Sequence, residues 1–187
     1  MIKNILSFDI GIRNLAYCHI QYNSETNQCE IQNWDIINLC LESEKVKQIS
    51  LLQLCNRLVD ALTEKCFDSD MTIIIENQPV LTNPKMKSIQ MMVFTFFVCI
   101  GNKEIYLFSP RHKFFAYDGP EIECTLKSKY ARRKKLGILY CEYFIKGISD
   151  YLDFFTLHKK KDDLSDCFLQ ALSFLKKNWK KDNLLLI

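Results

Sequence analysis

Turn-forming residues are scarce in this chain. Its 187 residues include five glycines and four prolines, and no stretch is rich in glycine, serine or proline. Nothing therefore reads as a linker, and one domain is predicted over residues 1–187, with enough apolar content (48%) for a core. Histidine is rarer still, with three, and the nine cysteines are odd in number and contain no C-x-x-C pair. Those absences argue against a structural zinc site and a disulfide framework, and for a reducing, intracellular compartment. Long apolar runs are missing too. The longest, residues 89–100, contains Gln90 and Thr95 and is too short for a bilayer. Lys3 and Asp9 interrupt the first apolar run, so no signal peptide and no membrane partner are expected. The net charge is only +3, so any nucleic-acid affinity must come from a local basic patch.

What is present is organised around residues 2–14, IKNILSFDIGIRN. A short apolar run with one acid, Asp9, ending at Gly11, reads as a buried strand. Asp9 is costly to bury unpaired and needs a cation, hydrogen-bond donors or water. Gly11 permits a positive φ or a close backbone approach. Taken alone, Asp9 reads equally well as a cap on the strand-to-turn transition. Residues 15–22 and 29–39 read as two further strands around the polar turn 23–28, an antiparallel meander. Residues 44–65 have apolar positions at helical spacing. MTIIIE (71–76), with three consecutive isoleucines, reads as a strand buried on both faces, as in a parallel central sheet. Asn83-Pro84 opens a helix running to about Ile100, with Asn83 as N-cap. This helix is apolar nearly all round, so it packs either inside the monomer or against a second subunit. EIYLFS (104–109) is a further strand. Helices are predicted over 127–146 and from Asp163 to about Trp179. The stretch 149–158 is a connection, and the apolar tail LLLI docks on the body or a partner. The pattern β-β-β-α-β-α-β-α-α specifies an α/β fold: a mixed five-stranded sheet, antiparallel meander plus parallel strands, with helices on both faces.

Four acids stand out within this frame. If 71–76 runs parallel to the first strand, Glu76 ends beside Asp9, at the carboxyl edge where sites form. Asp163 and Asp166 are three apart at a helix start and face the same way. N-capping would account for Asp162 or Asp163 alone. It does not account for Asp166, which opens an otherwise apolar face. Carboxylates without His or Cys make a hard oxygen site suited to Mg²⁺ or Mn²⁺. Two such ions about 4 Å apart serve phosphodiester hydrolysis.

The elements FDIGIRN, IIIENQP and KKDDLSD, in this order, resemble the RuvC-type Holliday junction resolvases of the RNase H-like superfold, the poxvirus members above all. The resemblance covers essentially the whole chain. It implies a homodimeric, Mg²⁺-dependent endonuclease that nicks four-way DNA junctions symmetrically in viral recombination and concatemer resolution, in host cytoplasm or virion. Carried over by position, the metal-binding acids are Asp9, Glu76, Asp163 and Asp166. A catalytic lysine after the fifth strand matches Lys113, with Lys127 and Lys129 as alternatives. The helix over 84–100 would form the dimer interface.

KSKYARRKK (127–135) places Lys127, Lys129, Arg132, Arg133, Lys134 and Lys135 together without an acid, and Lys159, Lys160 and Lys161 precede the last acids. Between elements of a phosphodiesterase site, such runs read as phosphate contacts that position DNA without reading bases. Phe114, Phe115 and Tyr117 are core residues or stacking platforms. The main rival is a single-site RNase H-like ribonuclease or exonuclease, which requires no dimer. An actin-like ATPase would need a second lobe for which the chain has no room. A degenerate binding module would have no reason to keep all four acids.

Overall fold

The computed structural model describes residues 1–81, 83–180 and 184–187. β1 (Ile2–Asp9), β2 (Leu15–Asn23) and β3 (Gln28–Ile37) form the expected meander. α1 (Leu51–Glu64) leads to β4 (Met71–Glu76), and α2 (Pro84–Cys99) to β5 (Glu104–Phe108). A 3-10 turn, Pro110–His112, precedes an irregular segment and then α3 (Lys129–Ile145), α4 (Ser149–Leu157) and α5 (Lys161–Asn178). β4 lies parallel to β1, and β5 parallel to β4.

Among the described residues the sheet has six strands, not the predicted five. Its order is β5-β4-β1-β2-β3-β6, and the extra strand is β6 (Leu185–Leu186). The apolar tail covers the free edge of β3, with the Leu185 N–H donating to the Asn27 carbonyl and the Ile187 N–H to that of Cys29. An unpaired edge is a liability, and two apolar residues suffice to blunt it. The stretch 149–158 is a helix, α4, whose Phe155 stacks on Trp34 with ring centroids 5.3 Å apart. The 44–65 prediction starts too early, because a capping box stops the helix at Ser50. The Gln53 N–H donates to Ser50 Oγ, and the Ser50 N–H donates to Gln53 Oε1. Glu44 instead belongs to the preceding turn, clamped by both terminal nitrogens of Arg57 at 2.6 and 2.8 Å.

Strand alternation gives the sheet two cores. Leu6, Phe8, Ile73 and Ile75 point to the α1–α2 face, together with Leu54, Leu58, Val93 and Phe97. Ile5 and Ile74 point to the opposite face, packed with Cys141 of α3, Phe155 of α4 and Leu164, Phe168 and Leu172 of α5. Period-two geometry then sends Asp9 and Glu76, next in step, to the α5 face. Phe8 pairs with Ile75 in the parallel ladder, so the two acids end their strands side by side.

Gly11 is required by a close approach. A Cβ there would run into the Asn14 carbonyl oxygen, and Gly101 is the only glycine with a positive φ among the described residues. Gly11→Ala should cost roughly 1–3 kcal/mol, because the turn that follows Asp9 must open. Urea unfolding measures it, and an unchanged midpoint would mean the turn relaxes freely.

Candidate active site

Three elements meet at the carboxyl ends of β1 and β4. Asp9 and Glu76 come from the strands. α5 crosses over them, with Asp162 and Asp163 in its first turn and Asp166 in the next. The start of α5 is pinned by Trp34, whose Nε1–H donates to the Leu164 carbonyl at 3.1 Å. Neither early aspartate caps the helix: its N-cap is Lys160, with no side-chain cap bond. The capping explanation for these acids therefore fails.

The acids crowd one another. Burial pushes the Asp9 carboxyl well above its ordinary range, and hydrogen bonding to Glu76 and the charges of Glu76, Asp166 and Asp163 push the same way. Burial also raises Asp163, to about 6, with the charge of Asp162 adding to it. Asp166 is raised by burial, although Lys113 pulls it down. Asp162 behaves differently: burial raises it, but the hydrogen bond and charge of Lys134 outweigh that and hold it low. Asp162 is thus an ion-pair partner of α3, while the other four acids share a site with too few cations.

Lys113 is the cation that pairs with Asp166, while the charges of Lys134 and Lys160 bear on Asp163. Lys113 follows the 3-10 turn after β5, is buried, and places Nζ 2.5 Å from Asp166 Oδ2. Lys127 and Lys129, the alternatives, are exposed at the start of α3. Glu76 Oε2 accepts from Gln78 Nε2 at 2.7 Å, and the Gln78 N–H donates to Gln90 Oε1, buried on α2.

The donor set, four carboxylates with no histidine or cysteine, fits a hard divalent cation in kind and in charge. Among the described residues no group of three or more His, Cys, Asp or Glu side chains stands ready to hold a metal. Asp166 is turned to Lys113, and Asp9 to Glu76, so the acids are gathered at one place with an ammonium beside them.

The basic run divides in two. Lys127, two residues before α3, and Lys129, Arg132 and Lys135 on it are exposed, as are Lys159 and Lys160 before α5; Lys161 is half-buried. Arg133 and Lys134 turn inward. Arg133 donates to the Pro110 carbonyl and lies 5.2 Å over the Phe114 ring, and Lys134 pairs with Asp162. Phe114 and Tyr117 pack on Tyr140 of α3, Tyr117 stacked at 3.8 Å; Phe115 remains exposed.

The same fold occurs in solved structures. The fowlpox virus resolvase in complex with its Holliday junction DNA substrate superposes with a TM-score of 0.65 at 23% identity, over 94% of this chain and 98% of that one. The fold is that of the RuvC-like resolvases. The yeast mitochondrial Holliday junction resolvase Ydc2 gives 0.65 at 19% identity over 93% of this chain and 79% of that one, and Thermus thermophilus RuvC 0.63 at 13%, over 96% of each. A family model described as mitochondrial resolvase Ydc2 / RNA splicing MRS1 matches residues 5–85, the part of the chain that carries Asp9 and Glu76. An uncharacterized protein of Acanthamoeba polyphaga mimivirus is 30% identical over 177 residues, 85% of this chain. This chain spans 42% of the length of that relative. Among the described residues no helix is long and apolar enough to cross a membrane.

Three residues escaped the sequence reading. Gln170 and Ser173 are buried on α5, and Gly137 of α3 packs close to α5, where a Cβ would stand 3.3 Å from Ser165 Oγ and 3.4 Å from Asp166 Oδ1. Gln170 Nε2 donates to Ser7 Oγ and to the Phe8 carbonyl, both at 3.0 Å, beside Asp9. The available signal was a polar residue interrupting the apolar run of the last helix at helical spacing.

Proposed function

We propose that this protein is a metal-dependent endonuclease that resolves four-way DNA junctions. The observation that carries the reading is the convergence of Asp9, Glu76, Asp163 and Asp166, with Lys113, at one sheet edge. The RuvC-like fold, and the likeness to a fowlpox virus resolvase, support it and favour a viral role in recombination and concatemer resolution. The four acids would hold Mg²⁺ or Mn²⁺, two ions to a site, supplying an activated water and charge stabilisation for phosphodiester hydrolysis. Lys113 presents its ammonium beside Asp166, where negative charge builds on the phosphate. Gln78 orients Glu76.

The exposed cations Lys127, Lys129, Arg132, Lys135, Lys159 and Lys160 flank the acids and would track phosphates of branched DNA. A second copy of the chain would sit on the outer face of α2, placing two sites in two-fold relation to match a junction's symmetry. The decisive experiment incubates the protein with labelled four-way junction, linear duplex and RNA–DNA hybrid, with and without Mg²⁺. Junction-selective, Mg²⁺-dependent nicks at symmetric positions are expected. Preference for the hybrid would favour the single-site RNase H-like reading.

Replacing Lys129, Arg132 and Lys135 with Ala should weaken binding to every DNA tested. The slope of log K against log salt should fall by about 0.9 for each phosphate that is no longer neutralised. Arg133 and Lys134 are left out because both are engaged within the fold. An unchanged slope would show that α3 presents only a solvated face.

A further inference from the structure

We propose that Ser173 is a positioning residue for Lys113, an inference that rests on the nuclease reading above. Lys113 caps only a short 3-10 turn, where its N–H donates to the Pro110 carbonyl at a long 3.5 Å, and it lies in no strand or α-helix. β5 ends at Phe108, the 3-10 turn ends at His112, and the next helix starts at Lys129. A lysine on so long an irregular segment has a mobile backbone unless something fixes it. Ser173 is that something. Its hydroxyl donates to the Lys113 carbonyl at 2.8 Å and accepts from the Ala116 N–H at 3.0 Å. One side chain thus closes both ends of residues 113–116.

Ser173 is fully buried, on a stretch of α5 where Leu172, Phe174 and Leu175 are buried with it. A hydroxyl in such a place is unfavourable unless partnered, and its two partners are backbone groups that would otherwise be orphaned. The ammonium end of Lys113 is meanwhile held by Asp166, one of the acids on the same helix. α5 therefore grips Lys113 twice, by backbone through Ser173 and by side chain through Asp166. The lysine and the acid keep a fixed separation because one rigid helix sets both contacts. Gln170, between them on α5, makes the corresponding contact to the strand that carries Asp9.

The test reads Lys113 itself. Lysines are acetylated with a water-soluble N-hydroxysuccinimide ester, and the rate at each is followed by mass spectrometry. In the parent, Lys113 should react slowly, being buried, and Lys129 fast. In Ser173→Ala, the Lys113 rate should rise about tenfold as the segment opens locally, with Lys129 unchanged. Ser173→Thr, which keeps the hydroxyl, should hold Lys113 at the parent rate. Ser173→Cys fills the site with a weaker partner, should give an intermediate rate, and covers the case in which alanine unfolds the chain. Ser165→Ala is the control. It removes an equally buried hydroxyl from α5 that bonds only its own helix, at the Asp162 carbonyl. It should leave Lys113 protected.

Junction cleavage gives the second readout. Ser173→Ala should lower kcat by roughly 10- to 100-fold, as expected for a misplaced group, while junction Kd stays unchanged. A Lys113 rate unmoved in Ser173→Ala, or moved equally by Ser165→Ala, would overturn the proposal. If the parent cleaves no junction yet Lys113 responds as described, the nuclease reading fails and the positioning contact stands.

Discussion

Asp9→Asn, Glu76→Gln, Asp163→Asn and Asp166→Asn should each lower junction cleavage by about 10³-fold or more, and leave junction binding within a few-fold of the parent. The two effects separate because the acids would hold metal, whereas the exposed cations of α3 and of residues 159–160 would hold phosphate. Binding should tighten slightly in each variant, since one negative charge is removed beside the DNA. Asp9→Asn carries a further expectation that distinguishes a functional acid from a structural one. Asp9 stands among Glu76, Asp166 and Asp163, all of which disfavour its charge. Without metal, neutralising it should stabilise the fold. Relief of about 1 kcal/mol would raise Tm by about 2–4 °C in a chain of this size. A variant more stable but inactive is the signature of a site that keeps strain for function. Cleavage near the parent rate in any two of the four variants would falsify the proposed site. A fall in Tm for Asp9→Asn would make that acid a structural cap.

The acids were legible because strand order and strand period are local quantities. Asp9 closes an apolar run before Gly11, and Glu76 closes IIIE. A parallel pairing brings both to one edge, and alternation sends both to one face. Asp166 was legible because it opens an apolar helix face without a capping role. Lys113 was one of three candidates, since sequence gives no measure of where an irregular segment lies. Its selection needs the 3-10 turn after β5, which returns it to α5. Gln170 and Ser173 act on residues far away in the chain, on Phe8 and on Lys113 and Ala116. No periodicity encodes such partners. The same limit explains β6, where two leucines become a strand only because β3 offers an edge, and α4, whose pattern was hidden by aromatic residues that pack on Trp34. The early start expected for α1 has a different cause. Val46 and Ile49 fit the helical spacing, but the reciprocal bonds of Ser50 and Gln53 fix the boundary.

Met91→Glu and Val98→Glu should convert the proposed two-fold dimer into folded monomers, whereas Phe97→Glu should unfold the chain. The helix over 84–100 was too apolar for one sheet to cover, and the structure resolves which residues face where. Ile89, Val93 and Phe97, four apart, are fully buried against the sheet, with Phe97 in contact with Phe8 and Phe67. A charge at Phe97 is buried unpaired and costs several kcal/mol of folding free energy, so it says nothing about assembly. Met91 and Val98 lie exposed on the opposite side of α2, and Leu51 and Val59 of α1 are exposed on the neighbouring helix. Met91 and Leu51 border the same groove between the two helices. This outer face is apolar and open in a single chain, which is the composition of an interface core. In the proposed dimer a glutamate there is desolvated without a partner, and association should weaken by at least about 100-fold. Light scattering reads the mass. Circular dichroism should show the fold persisting in Met91→Glu and Val98→Glu and lost in Phe97→Glu. Cleavage should change in kind as well as in rate, because a monomer cannot place two sites on opposing strands. Nicked junctions should accumulate in place of resolved duplexes. The inner end of α2 also touches the active site, since Gln90 accepts from the Gln78 N–H and Gln78 donates to Glu76. Loss of the partner should therefore slow even single nicks. A parent protein that is monomeric at micromolar concentration, both free and on a junction, would remove the dimer and leave a single-site nuclease.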